Sequence, residues 1–338
     1  MRALGTFCAS LLLAGCAIHP LPEDVAGVGT ADIVKQIRCE SREALVGVIM
    51  EKLDDWARAG SDEAARLLED YRQHPDKIAD FGPGSFPGPY YAQLRSLINV
   101  FADTAIAYDF DLTMQEKNDL VAGTGLMKSL VSPKFTMGLG AGLIRSRSNR
   151  RVFTTSDRFS YLVSQLNRPN KSGRRYCDGK IVAENQVYPI AGRIGVDKSI
   201  RDFMEVSVFG NLAGSKAPTM TDNLAFATSI NVSALPKVEF TPVTNAFQAT
   251  NVSLTANADR TDTHKVSVAL AIGDEGMKEL VKFRKYVFSA DRGGGAIAPA
   301  QRSYRGDRLS GSGTGAEIKA LEAIDQVKRG QYQLTPAQ

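Results

Sequence analysis

The stretch Ala105-Ile-Ala-Tyr-Asp-Phe-Asp-Leu-Thr-Met114 alternates strictly. Ile106, Tyr108, Phe110, Leu112 and Met114 fall on one side and small or polar residues on the other. Successive strand side chains point to opposite faces, so this is the period of a half-buried β-strand. A second strand follows, with Phe135, Met137, Leu139, Ala141 and Leu143 on one face. Its other face is Thr136, Gly138, Gly140 and Gly142, which leaves room for close approach by another backbone. A polar turn at Asn149 and a returning strand over Val152–Val163 are expected to complete a hairpin. Further strands are predicted over Leu224–Val232, Val238–Val243, Val252–Ala258 and Val266–Ile272, the last two flanking a turn at Asp259–Thr263.

Upstream the period changes. From Asp32, the residues Ile33, Ile37, Leu45, Val48, Ile49, Leu53 and Trp56 recur at three- and four-residue steps, which predicts a helix closed by Gly60. Ser61-Asp62-Glu63 caps a second helix to about Arg72. Phe81-Gly-Pro-Gly-Ser-Phe-Pro-Gly-Pro-Tyr90 reads as a loop, and a third short helix is expected over Tyr91–Val100. Asp197 starts a helix carrying Ile200, Phe203 and Met204, although Val206 and Val208 leave a strand reading open. The Gly-, Ser- and Arg-rich run 291–315 has little to bury and is expected to be disordered. A short helix is predicted over Glu317–Arg329.

Helices first and strands second make an α+β fold, with the N-terminal helical region packed on a mostly antiparallel β-sheet or sandwich. The expected divisions are a helical region over 30–101, a β-rich domain over 102–290 with one internal helix, a linker over 291–315, and a C-terminal helix and tail over 316–338. The 338 residues are 43% apolar, 8% aromatic and 23% charged, which excludes a wholly disordered chain. Four Cys are too few for a disulfide-dense scaffold. The net charge of +4 does not describe a dedicated nucleic-acid binder, and none is expected as a partner.

Met1-Arg2 followed by an apolar run to Ala14 has the layout of a signal peptide over 1–15, too short for the roughly 20 residues of a spanning helix. It ends in Leu13-Ala14-Gly15-Cys16, which resembles the lipobox of bacterial lipoproteins. The resemblance implies cleavage before Cys16, acylation of Cys16, and a lipid tether over 16–29. Ala17 in place of Asp implies an outer-membrane anchor facing the periplasm. The opening of the mature chain, Pro22-Glu23-Asp24 through Val34-Lys35-Gln36-Ile37-Arg38-Cys39-Glu40, is similar to uncharacterised lipoproteins of alphaproteobacteria. No activity comes with that likeness. With Cys8 removed and Cys16 acylated, Cys39 and Cys177 are left to pair in an oxidising compartment, or to stay as two buried thiols.

Chemistry is sparse. His19, His74 and His264 lack ligand spacing and read as surface residues, so no metal or other cofactor is expected. No Gly-x-Ser-x-Gly elbow is present. Gly123-Thr-Gly-Leu-Met-Lys128-Ser129 lacks phosphate-loop spacing and reads as a turn between strands. Asp109 and Asp111 share a strand face, read as solvated rather than catalytic, and no catalytic residue is assigned.

Charge is uneven. Residues 16–119 hold 10 Lys+Arg against 19 Asp+Glu, whereas 120–338 hold 30 against 18. The most basic block contains Arg145, Arg147, Arg150, Arg151, Arg158, Arg168, Lys171, Arg174 and Arg175. It either folds against the acidic helices or, as a basic hairpin tip and loop, grips anionic lipid, lipopolysaccharide or an acidic protein. Two function classes follow. The first is a non-enzymatic, lipid-anchored envelope module that binds or scaffolds. The second is a subunit of an oligomeric outer-membrane β-assembly, because apolar/small alternation also marks barrel hairpins. A periplasmic hydrolase is the least supported.

Overall fold

The computed structural model of the chain describes residues 19–129, 134–179, 184–210, 212, 218–239, 248–289 and 315–334. Cys16 and most of the 291–315 run lie outside these residues. The fold is α+β. A helical turn, α1 (Glu23–Ala26), precedes the long helix α2 (Thr30–Arg58), and α3 (Asp62–Gln73) follows, with Ser61 Oγ accepting from Ala64 N at 3.3 Å. The Pro/Gly segment forms short 3-10 turns before α4 (Ala92–Ala102). Strands β1 (Thr104–Ser129) and β2 (Lys134–Arg158) lead to α5 (Phe159–Ser164) and α6 (Val196–Val208). Then come β3 (Thr219–Ala234), β4 (Lys237–Glu239), β5 (Gln248–Ile272), α7 (Asp274–Ser289) and α8 (Gly315–Leu334).

The strands form one sheet in the order β2-β1-β5-β3, with β4 continuing along β5 beyond β3. Two compact units divide the chain. The first comprises 1–29, 112–151 and 227–263; the second comprises 30–111, 152–226 and 264–338.

The second unit holds the core. On one sheet face, Ile106, Tyr108 and Phe110 of β1 are fully buried, with Arg38, Glu40 and Ser41 of α2 close to the Tyr108 hydroxyl. On the other, Ala105, Ala107, Ala269 and Ala271 make a flat floor for Ala316, Ala320 and Ile324 of α8. Helices therefore cover both faces of this part of the sheet. The carboxylate of Glu40, 1% exposed, accepts the backbone N–H groups of Ile194, Gly195 and Val196 at 2.8, 2.8 and 3.0 Å. It thus fastens α2 to the start of α6, where Gly195 takes φ +87°. Asp103 does the same for α7, accepting from Gly276 N at 2.7 Å.

Several expectations are corrected. β2 runs unbroken through Asn149, so no turn lies there, and Phe159–Ser164 is helical rather than a returning strand. The partner of β2 is β1. Gly123–Ser129 is strand, not turn, and so is Asp259–Thr263. These segments looked turn-like because they are polar or glycine-rich. They stay extended because a neighbouring strand completes their hydrogen bonds. The β region contains α5, α6 and the unanticipated α7 rather than one helix, and the described strands number five in a single sheet.

Candidate functional site

The distinctive surface belongs to the first unit. Every residue from Thr136 to Ser148 and from Ser229 to Lys237 is exposed, on both alternating faces of the sheet. Among the described residues this part of the sheet is therefore a single layer with no core of its own.

The two faces differ in kind. On one, Leu120 of β1, Leu143 of β2, Val232 and Ala234 of β3, and Ala256 and Ala258 of β5 line one shallow concavity, with Asn118, Asp119 and Asn257 also on its lining. Met137 and Leu139 extend this face along β2, and Val252 and Leu254 along β5. Met137, Leu139 and Leu143 are 40, 50 and 44% exposed, and Val232 is 61% exposed. A contiguous apolar surface spread over four strands is the mark of a surface made to be covered.

The opposite face carries Gly138, Gly140 and Gly142 of β2, Gly123 of β1, Asn251 and Ser253 of β5, and Ser229 and Asn231 of β3. Val121 and Ile144 are apolar exceptions on it. Its small residues allow tight strand contacts: a Cβ at Gly123 would stand 3.0 Å from Ser253 Oγ. Asn251 accepts from Gly125 N at 2.8 Å and from Thr124 Oγ1 at 3.0 Å.

Among the described strands, β2 and β3 each have one neighbour, so both edges are open in the strand order. Pro236, which has no N–H to give, lies on the β3/β4 edge, while its carbonyl accepts from Leu254 N at 3.0 Å.

At the end of this sheet remote from Ser129 and Lys134, Arg260 Nε donates to Asp262 Oδ1 at 2.9 Å and Nη1 to Glu116 Oε1 at 3.0 Å. Arg147 also pairs with Glu116. Arg260 and Asp262 are 8% and 1% exposed. Sequence reasoning missed this cluster by taking Asp259–Thr263 for a turn. The signal was present, because Ala256, Ala258, Arg260, Asp262, His264 and Val266 keep one period of two.

The basic block does not form one tip. Arg145, Arg147, Arg150 and Arg151 stand along β2 in the first unit, and Arg158, Arg168, Lys171, Arg174 and Arg175 belong to the second. Arg145 lines the apolar concavity. Arg168 pairs with Asp80 at 2.9 Å, and Arg175 pairs with Asp76, so both meet the acidic segment after α3. Lys171 and Arg174 are exposed.

Cys39 and Cys177 are joined as a disulfide. Beside it Arg38 donates to Asp157 at 2.7 and 2.6 Å and to the Tyr176 hydroxyl at 3.2 Å. The Asp157 carboxylate raises the Arg38 pKa above its ordinary value.

His264 is not a surface residue: it is 2% exposed, with Nε2 2.5 Å from the Tyr188 hydroxyl. Asp109 is not solvated either, since it is 5% exposed, accepts from Thr154 Oγ1 and pairs with Lys328 Nζ, both at 2.6 Å. Both were misjudged because strand alternation does not say which face a helix or strand will cover. Among the described residues no group of three or more His, Cys, Asp or Glu side chains gathers as metal donors would. Among them, too, no helix is long and apolar enough to cross a membrane.

Residues 19–302 match the family model described as "Uncharacterised protein y4kA". A relative from Sinorhizobium fredii (strain NBRC 101917 / NGR234), "Uncharacterized protein y4kA", is 30% identical over 280 residues. The match covers 81% of this chain and 84% of that one. The chain belongs to the y4kA family.

Proposed function

We propose that the first unit is one wedge of a membrane-embedded β-barrel closed by several copies of this lipid-anchored chain in the outer membrane. The observation that carries the reading is the single-layer sheet with one apolar face, one Gly/Ser/Asn face and two open edges. Water is a poor solvent for such a sheet, and lipid on one side with an aqueous lumen on the other suits both faces. In hydrocarbon the unpaired backbone groups of β2 and β3 would each cost several kcal/mol, so the edges must meet edges of other copies. The strands of 25–26 residues exceed the roughly 9–11 needed to cross the bilayer. β4 follows β3 in the same row beside β5, so the five described strands fill four rows, and any number of copies gives an even total of rows.

The resemblance of Leu13–Cys16 to a lipobox supports delivery to the envelope. Nothing in the site calls for an enzyme: the reading is of a conduit or scaffold whose polar face lines a pore.

The experiment is native mass spectrometry of the full lipidated protein in detergent, with conductance of the same particles in planar bilayers. Defined oligomers and discrete conductance steps are expected. A strict monomer that never conducts overturns the barrel and returns the chain to the second reading, a monomeric anchored module. That reading is favoured by the exposed Lys171 and Arg174, which would hold anionic lipid or an acidic partner.

A further inference from the structure

We propose that Arg260, Asp262 and Glu116 form a clamp that pins the lipidated N-terminus to the apolar face of the sheet. The acyl chains of Cys16 then enter the bilayer beside the apolar belt, at the end remote from Ser129 and Lys134. The inference rests on the membrane-embedded reading of the sheet and on acylation of Cys16.

Strand alternation places the clamp. Arg260 and Asp262 share a face with Ala256 and Ala258, Glu116 with Leu120, and Arg147 and Asn149 with Leu143. All therefore stand on the apolar face. Arg260 lies only two residues, about 7 Å, below Ala258.

The N-terminal segment lies across these residues. Arg260 Nη2 donates to the Leu21 carbonyl at 2.6 Å, and Asn149 Nδ2 to the Pro20 carbonyl at 3.0 Å. Asp24 turns back to accept from Leu21 N at 2.7 Å and stands 3.7 Å from Arg260 Nη1. Pro20 and Pro22 are buried.

A buried guanidinium that uses one nitrogen on a main-chain carbonyl of the tether holds that segment directionally, which a bare Pro/Gly linker could not do. Cys16 is four residues before Pro20, so it can lie no more than about 14 Å from the pinned point. Ser129 of β1 and Lys134 of β2 lie at the opposite end of these strands from Glu116 and Arg147. The anchor thus marks the near leaflet, and the hairpins have one direction left in which to insert.

The test uses nitroxide labels on single introduced cysteines, Glu23→Cys in the tether and Leu139→Cys in the belt, in the full lipidated chain in liposomes. Cys39 and Cys177 are paired, so the introduced thiol is the reactive one. Relaxation by oxygen, which partitions into lipid, against a water-soluble nickel chelate reads the depth of each label. The expected result is a belt label in hydrocarbon and a tether label immobile at the interface. Arg260→Gln should shift the tether label several-fold toward the nickel chelate and free its motion. Because Arg260→Gln leaves Asp262 buried and the sheet at risk, Asp24→Ala with Asn149→Ala is the second variant, and it should free the tether with the strands intact. A tether label in bulk water while the belt label is in hydrocarbon overturns the clamp and spares the barrel. So does a tether label unmoved by either variant. A belt label in water overturns the barrel, and the clamp with it.

Discussion

Burial holds the Glu40 carboxyl above its ordinary value of 4.5, against the pull of three backbone N–H donors and Arg193. The folded chain then takes up this proton more readily than the unfolded one. Glu40 therefore contributes most at low pH, and that contribution declines as pH rises from about 4.5 through the raised value. Comparing denaturant midpoints of the wild type and Glu40→Gln from about pH 4 to about pH 7.5, the wild-type advantage should shrink with rising pH. An advantage that grows instead removes the assigned direction. The disulfide is the other decisive residue-scale feature. It closes a loop with a sequence separation of 138, long enough for the chain-entropy gain to reach the top of the usual 2–5 kcal/mol. Cys39→Ser with Cys177→Ser should lower the unfolding free energy by about 2–5 kcal/mol under non-reducing conditions. A loss below about 1 kcal/mol would mean the two segments are held by Arg38 and its partners alone.

The elements make faces, and faces make separable predictions. Leu139 stands in the apolar row of β2, and if that row meets lipid as proposed, a charge there costs about 2–4 kcal/mol. Leu139→Arg should abolish membrane insertion, read as loss of the protected hairpin fragment after proteolysis of liposomes. Ser229 stands on the opposite face of β3 beside Ile230, so Ser229→Arg should insert normally and lower cation conductance. Equal loss with both substitutions would show that the faces are not divided between lipid and lumen. The same logic explains the glycines of β2. A Cβ at Gly140 would stand 3.6 Å from the Ala122 carbonyl and one at Gly142 3.6 Å from Val121 Cγ2, both ordinary contacts with β1.

At the scale of the whole molecule, the described chain combines a unit whose core is buried beneath helices and a sheet region whose residues are largely exposed. A sheet open at β2 and β3 invites further strands, and edges of this kind are otherwise an aggregation hazard. Oligomers of the assembled protein should therefore resist mild detergent yet dissociate to one chain on heating. A gel shift between unheated and boiled samples checks this, and a single band at the monomer mass in both would count against shared edges. The near-neutral total charge hides the relevant division. Arg168 and Arg175 meet Asp80 and Asp76, while Arg260 and Arg147 meet Glu116. Much of the basic excess is therefore answered inside its own unit.

Local pattern by itself determined the helices at Thr30–Arg58 and Asp62–Gln73, the alternation in β1, β2 and β5, and the pairing of Cys39 with Cys177 as one of two outcomes. Helices and alternation are a matter of near neighbours along the chain, which is what spacing reports. Only the tertiary structure decided that Arg145–Arg151 and Asp259–Thr263 continue as strand. Polar runs become turns unless an adjacent strand completes their hydrogen bonds, and here β1 lies beside both β2 and β5. It also decided that His264 and Asp109 are buried and that the Leu139 row is bare. A period of two says which residues share a face, but not whether that face meets a helix, water or lipid.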